Sequence, residues 1–239
     1  MPNEADLAGT PSALALECVR DQAQTPSIPY VCQWASPDLV RNFLNRTVPV
    51  RADPRWAASG AESLEQYEFW SRRACGLACL AMLLGPDTCP GVVALAVQAE
   101  AQGAFVVDGD TVQGLLYRPF ARWVERDFGL ELDIIEDDNV EALAQRVSSG
   151  QPFIASVHPS IREASPAHRP PARGGHLVLV HGSDETSLVL HNPSGDRPST
   201  QHDVVISREH FQRYYAGRGM QVIRGPGSRR DVRARASPR

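Results

Sequence analysis

The chain of 239 residues contains no lysine, and all 24 of its basic side chains are arginine. That absence excludes chemistry built on an ε-amine, such as a Schiff base, and it fits the codon usage of a GC-rich bacterial genome. Long apolar runs are also missing. No stretch approaches the roughly 18–20 residues that a membrane-crossing helix needs, so no membrane partner is expected. The first residues lack a basic n-region and carry only a short, broken apolar stretch, which makes a poor signal peptide. Charge of one sign is not in excess. A net charge of -4 supplies no basic face for nucleic acid. Cysteine is sparse and odd in number. Cys18, Cys32, Cys75, Cys79 and Cys89 all lie early in the chain, which argues against a disulfide framework. The expectation is a reduced, cytoplasmic protein.

The 42% of hydrophobic residues suffices for one sizeable core. Residues 1–27 read as a loose lead-in. Residues 225–239, rich in Gly, Pro, Ser and Arg, read as a disordered basic tail. Between them the patterning divides into two halves. The first is helical. Ser36-Pro37-Asp38 reads as a helix start before LVRNFLNR, and 62–73, 75–85 and 90–103 follow as helices. Asp110 is expected to cap a helix interrupted near Pro119, and Asp138 one over VEALAQRVSSG, with Glu136-Asp137-Asp138 as a solvated turn. The second half reads as strands at 152–157, 176–182, 187–193, 203–207 and 220–224, with one helix over 207–216 capped by Ser207. Helices first and strands second predict an α+β fold rather than alternating α/β.

Three pieces carry chemistry. Cys75 opens an apolar helix and is followed by Gly76. A thiol at a helix N-terminus faces unpaired N–H groups, which favour the thiolate, and Arg72 and Arg73 just upstream push the same way. Packing alone would also account for a cysteine there. His176 begins an apolar strand directly after two glycines. An imidazole buried at that place needs a partner, whether a backbone carbonyl or a reacting group. The third piece is LHNPSG. A hairpin turn centred near Asp184–Glu185 sets residue 176 opposite about residue 192 or 193, so Asn192 is placed to hold one imidazole nitrogen. His191 then points to the other face, and a one-residue slip exchanges the two roles. A base oriented by a third group is what a cysteine nucleophile requires.

Together these segments resemble the papain-like peptidases that process double-glycine (bacteriocin) leader peptides, and their bacterial relatives. IPYVCQ at 28–33, ACGLACLAMLLG at 74–85, GQPFIASV at 150–157, GGHLVLVHG, LHNPSG and ISREHFQRYY follow in that family's order. The resemblance covers roughly 28–224 and implies a papain-like fold, with an antiparallel sheet as its second half. It implies Cys75 as nucleophile, His176 as base, Asn192 as orienting residue and Gln33 as oxyanion donor beside the Cys75 N–H. Asn192-Pro193 stands where the family usually has Asp-Pro. The family's glutamine lies a few residues before its cysteine, whereas about forty residues separate Gln33 from Cys75, so 36–72 reads as a helical insertion and Gln66 as the second candidate donor.

The substrate class so implied is a peptide or amide cleaved through a Cys75 acyl-thioester. An acyltransferase or peptide ligase on the same site, and an inactive binding module, stand as alternatives. No cofactor is expected. A zinc site built from Cys75, Cys79 and Cys89 lacks a second paired knuckle, and Cys79 reads as core packing. Tyr67, Phe69 and Trp70 read as helix packing or as a groove lining, and Tyr214 and Tyr215 as packing. The long loop 158–175, with His158 and His168 and four prolines, reads either as a gate over the cleft or as a surface excursion.

Overall fold

A computed structural model describes residues 28–162 and 170–225. The predicted lead-in, the tail beyond Gly225 and His168 lie outside these residues. The helical half comprises α1 (Val40–Leu44), α2 (Leu64–Ser71), α3 (Cys75–Leu84), α4 (Val92–Ala101) and α5 (Tyr117–Phe128). A two-stranded ribbon, β1 (Val107–Asp108) with β2 (Thr111–Val112), precedes α5. Then come β3 (Glu131–Ile135), α6 (Val140–Ser148), β4 (Phe153–Val157), β5 (His176–Ser183), β6 (Ser187–His191), β7 (Val204–Ser207), α7 (Arg208–Gln212) and β8 (Tyr215–Arg224). The six larger strands form a wholly antiparallel sheet in the order β3-β8-β4-β5-β6-β7. This is the expected α+β architecture.

The sheet is covered on both faces. Leu177, Leu179, Ile154 and Met220 pack against the helical half, while Val178, Val180, Phe153 and Ala155 pack against α6 and α7. Burial on both faces explains why β4 and β5 read as continuous apolar runs rather than alternating ones. Helix α3 is apolar all round because it lies inside the first core, and it stops at Gly85. Among the described residues no helix is long and apolar enough to cross a membrane.

Several expectations need correction. The helix read from Ser36 is a 3-10 turn (Pro37–Leu39) followed by the short α1. Segment 36–72 is tied instead by buried Asp53, which accepts hydrogen bonds from the Ser36 amide at 3.1 Å and hydroxyl at 2.5 Å, and from the Tyr67 hydroxyl. Asp110 belongs to the β1–β2 ribbon, and α5 begins after Leu116. Pro119 sits in its first turn, where its missing N–H is no loss, so it interrupts nothing. Asn139 rather than Asp138 caps α6, accepting from the Ala142 amide at 2.9 Å. The helix after Ser207 ends at Gln212, and β8 starts five residues upstream of its predicted start, at Tyr215 rather than at Met220. Strand β3 has no counterpart in the predicted elements.

Candidate active site

Cys75 is the first residue of α3, with Ala74 as its cap, and its half-buried thiol opens into a cleft of about 840 Å³. His176 opens β5, and Gly174 and Gly175 before it adopt φ of 90° and 95°. That left-handed backbone, open to glycine at little cost, turns the chain so that the buried imidazole faces the same cleft. Gly76 lets α3 approach the strand, since a Cβ there would lie 2.9 Å from the Leu177 side chain.

The third member is held differently from its prediction. The hairpin turn spans 184–187, fixed by Asp184 Oδ1 accepting from the Thr186 and Ser187 amides at 2.8 and 2.7 Å. A bulge follows between Val180 and Gly182, after which Leu179 pairs with His191. Continued, this register sets residue 194 opposite 176. Asn192 therefore shares the face of His176 as its diagonal neighbour, and the contact is made: His176 Nε2 lies 2.9 Å from Asn192 Oδ1. The Ser194 amide donates to the same Oδ1 at 3.1 Å, which identifies that atom as the oxygen. Nε2 therefore carries the proton, and Nδ1 is the bare nitrogen of the imidazole. His191 faces the other way, its Nε2 on the Ile28 carbonyl at 2.9 Å.

Gln33 reaches the site despite its distance in sequence. The extended segment carrying it docks on the end of β6: the Gln33 amide donates to the Pro193 carbonyl at 2.9 Å, and the Tyr30 hydroxyl to the Asn192 carbonyl at 3.2 Å. The buried Gln33 side chain donates one Nε2 hydrogen to the Ser71 carbonyl at 2.8 Å and lines the cleft with Cys75 and His176. Gln66 does not come to the cleft. It sits on α2, where its Oε1 accepts from the Glu62 amide at 2.8 Å, a helix-start role.

Arg162 and Ser194 were not anticipated. Arg162 Nε donates to Ser194 Oγ at 2.7 Å, and Ser194 Oγ lies 3.1 Å from His176 Nε2. Ser194 follows from the even spacing 192–194 once the register is known. Arg162 carried no signal, being one of three arginines in the loop before His176. The cation that acts on Cys75 is this one, not Arg72 or Arg73 as the sequence suggested. Burial pushes the Cys75 thiol up, opposed by the Leu177 amide, by Arg162 and by the Gly76 amide. His176 is pushed down to about 3 by burial and by Arg162, with Asn192 pulling the other way. The resting pair is thus neutral thiol and neutral imidazole, and no hydrogen bond joins them directly among the described residues. Helix-end stabilisation of a thiolate is present but loses to desolvation.

The cleft wall is strongly cationic. Arg72, Arg73, Arg118, Arg162 and Arg218 line it against a single acid, Glu136. Cys32 and Cys79 are buried and Cys89 lies at another pocket, so the zinc grouping considered from sequence does not assemble.

No curated protein matches the chain. Two solved structures resemble it. A C39-like peptidase from Bacillus anthracis is 17% identical, with 64% of this chain and 90% of that one covered at a TM-score of 0.46. The peptidase domain of Streptococcus ComA, a bi-functional ABC transporter in a quorum sensing pathway, is 21% identical, with 63% and 92% covered at a TM-score of 0.44. Residues 19–223, most of the sequence, match the Peptidase_C39 like family, and the chain belongs to that family of cysteine peptidases.

Proposed function

We propose that this protein cleaves a peptide or amide through a Cys75 acyl-enzyme, and that the group it recognises beside the scissile bond is anionic. One observation supports the first part best: His176, with Nε2 held by Asn192 Oδ1 at 2.9 Å, opens its bare nitrogen to the cleft that Cys75 Sγ enters. Because both groups rest neutral, the base acts in the step rather than before it. As Sγ bonds the carbonyl carbon, its proton passes to His176 Nδ1 and the carbonyl π-electrons move to oxygen. The Cys75 N–H and the second Nε2 hydrogen of Gln33 stabilise that oxyanion. On collapse the C–N bond breaks, the imidazolium returns its proton to the departing amine, and water, deprotonated by His176, hydrolyses the thioester. Asn192 and Ser194 stabilise the transient imidazolium, while Arg162 opposes it.

The second part rests on charge. Arg162 is largely removed from water and pairs with no carboxylate among the described residues. A buried cation without a counter-ion is costly, and a substrate carboxylate or phosphate relieves that cost. Four further arginines around the cleft would steer an acidic peptide toward it.

Limiting iodoacetamide with peptide mapping tests the site, with half-buried Cys89 as the internal reference. Cys75 is expected to react first, and His176→Ala to remove that preference. Intact-mass trapping of a thioester from acidic peptide esters tests the reaction, and added amine separates hydrolysis from aminolysis. Equal labelling of Cys75 and Cys89, with no trapped thioester, would leave a binding module in place of an enzyme.

A further inference from the structure

A second constellation lies outside the cleft, where β5, β6 and β7 run side by side. His181 on β5, His191 at the end of β6 and Asp203 just before β7 turn one ligand atom each toward a common point, all within 4.8 Å of one another. Asp203 Oδ1 is 3.4 Å from His181 Nε2 and 3.9 Å from His191 Nδ1. The two imidazole rings stand face to face at a tilt, their centres 4.2 Å apart. We propose that these three side chains bind one divalent transition-metal ion of the zinc type.

Hydrogen bonding alone leaves the cluster unexplained. His181 Nε2 is buried and has no hydrogen-bond partner. Leaving a buried polar nitrogen unmade costs free energy, and a metal ion is one partner that removes that cost. His191 is already set for ligation. Its Nε2 donates to the Ile28 carbonyl at 2.9 Å, so Nδ1 presents a lone pair toward Asp203, the arrangement in which a carbonyl fixes a ligating histidine. That lone pair accepts the Asp203 amide at 3.1 Å, a bond the ion would displace. Zinc held at the usual N and O distances sets tetrahedral edges of about 3.4 Å, so the Asp203–His181 edge is already right, the Asp203–His191 edge must shorten from 3.9 Å, and the two imidazole nitrogens, within 4.8 Å of each other, must close to the same spacing. Two imidazoles and one carboxylate suit zinc, nickel or copper rather than calcium or magnesium, which prefer oxygen. Exposed His202, with Nδ1 3.7 Å from Asp203 Oδ2, or water completes the set.

Such an ion would clamp three strands at one edge of the sheet. It would also fix the Ile28 carbonyl, and through it the segment that brings Gln33 to the cleft, and the strand end that continues into Asn192. The role is structural, and it does not depend on the reaction proposed above.

The full chain, stripped with a chelator and titrated with Zn²⁺, is expected to take up one ion per chain at this site and to melt at higher temperature. Asp203→Asn removes the carboxylate charge from an exposed position whose φ of 48° asparagine tolerates, so the fold survives. It and His181→Gln are expected to weaken uptake by about 10–100-fold, whereas Cys75→Ala leaves it unchanged. Co²⁺ is expected to give visible d–d bands without a thiolate charge-transfer band. No uptake of Zn²⁺, uptake insensitive to both Asp203→Asn and His181→Gln, or a thiolate band with Co²⁺ would overturn the assignment.

Discussion

Arg162 lowers the proton affinity of both members of the proposed Cys75–His176 pair, so its removal separates them. In Arg162→Met the thiol loses a nearby cation and becomes harder to ionise, while the imidazole loses a repulsion and becomes easier to protonate. Alkylation of Cys75 at neutral pH is expected to slow about tenfold, and the acid limb of kcat/KM to move up toward the ordinary histidine range. A variant with slow labelling but an unmoved acid limb would show that Arg162 acts on the thiol alone. Gln33→Ala makes a different prediction. It removes an oxyanion donor without touching the pair, so kcat should fall about 10²–10³-fold while labelling of Cys75 by iodoacetamide stays as it was. Equal loss in both measurements would mean that the Ser71 contact holds α2 and α3 in place and that Gln33 is structural. Cys75, His176 and Asn192 stood out in the sequence because each sits where an apolar helix or strand begins or ends, whereas Gln33, in an irregular segment, was marked only by the family resemblance. Arg162 was not, because its neighbours in the loop are equally basic and only the folded chain selects one of them.

At the scale of elements, the arm after β6 decides whether Asn192 stays in place. The Asn192 amide donates to the Gln201 carbonyl at 2.6 Å, and Gln201 Nε2 donates to the Pro37 and Gly195 carbonyls at 2.8 and 3.1 Å. Gly195 makes this closure possible, since a Cβ there would stand 1.9 Å from the Thr200 carbonyl oxygen. Gly195→Ala must therefore open the arm. It should lower stability by about 1–3 kcal/mol in denaturant unfolding and reduce turnover beyond what that loss explains. Unchanged turnover would show that the strand pairing of β5 and β6 positions Asn192 unaided. The same close approaches account for what the sequence hid. Gly217 and Gly219 look like breakers, so β8 was truncated, yet Gly219 is needed because a Cβ would meet the Ile154 carbonyl at 2.2 Å. The hairpin gave the right partner for His176 on an approximate register, because the turn is centred on Glu185–Thr186, one residue later than predicted, and the bulge at His181 takes back part of that shift. Strand β3 is an acidic edge strand, with Glu131 and Asp133 exposed or half-exposed, and lacks the apolar run that betrayed β4 and β5.

For the molecule as a whole, three histidines are carried neutral inside the sheet half, and that sets how stability responds to acid. His176 is pushed down to about 3 and His181 to about 4, and His191 is lowered as well, burial being the main cause in each. A base depressed in the folded state leaves the unfolded chain holding more protons between the two pKa values. Stability therefore rises with pH, is complete above the unfolded value of about 6.5, and is lost as pH falls toward the folded values. The informative window is about pH 7 to 5.5, above the range where most carboxylates titrate. His176 should cost about 1 kcal/mol across it, and His181 and His191, which water screens in part, no more than that each. For a domain of this size that amounts to a fall in Tm of several degrees in calorimetry on metal-free protein, at about 2–4 °C per kcal/mol. His181→Asn should flatten the dependence, because it removes one contributor while leaving the cleft intact. Zinc bound at His181 and His191 should steepen it, since the ion must leave before either ring is protonated. A Tm that is flat from pH 7 to 5.5 would mean that the folded protein takes up protons as readily as the unfolded chain. His176 would then be charged at rest, and the proton transfer during attack would give way to a preformed ion pair.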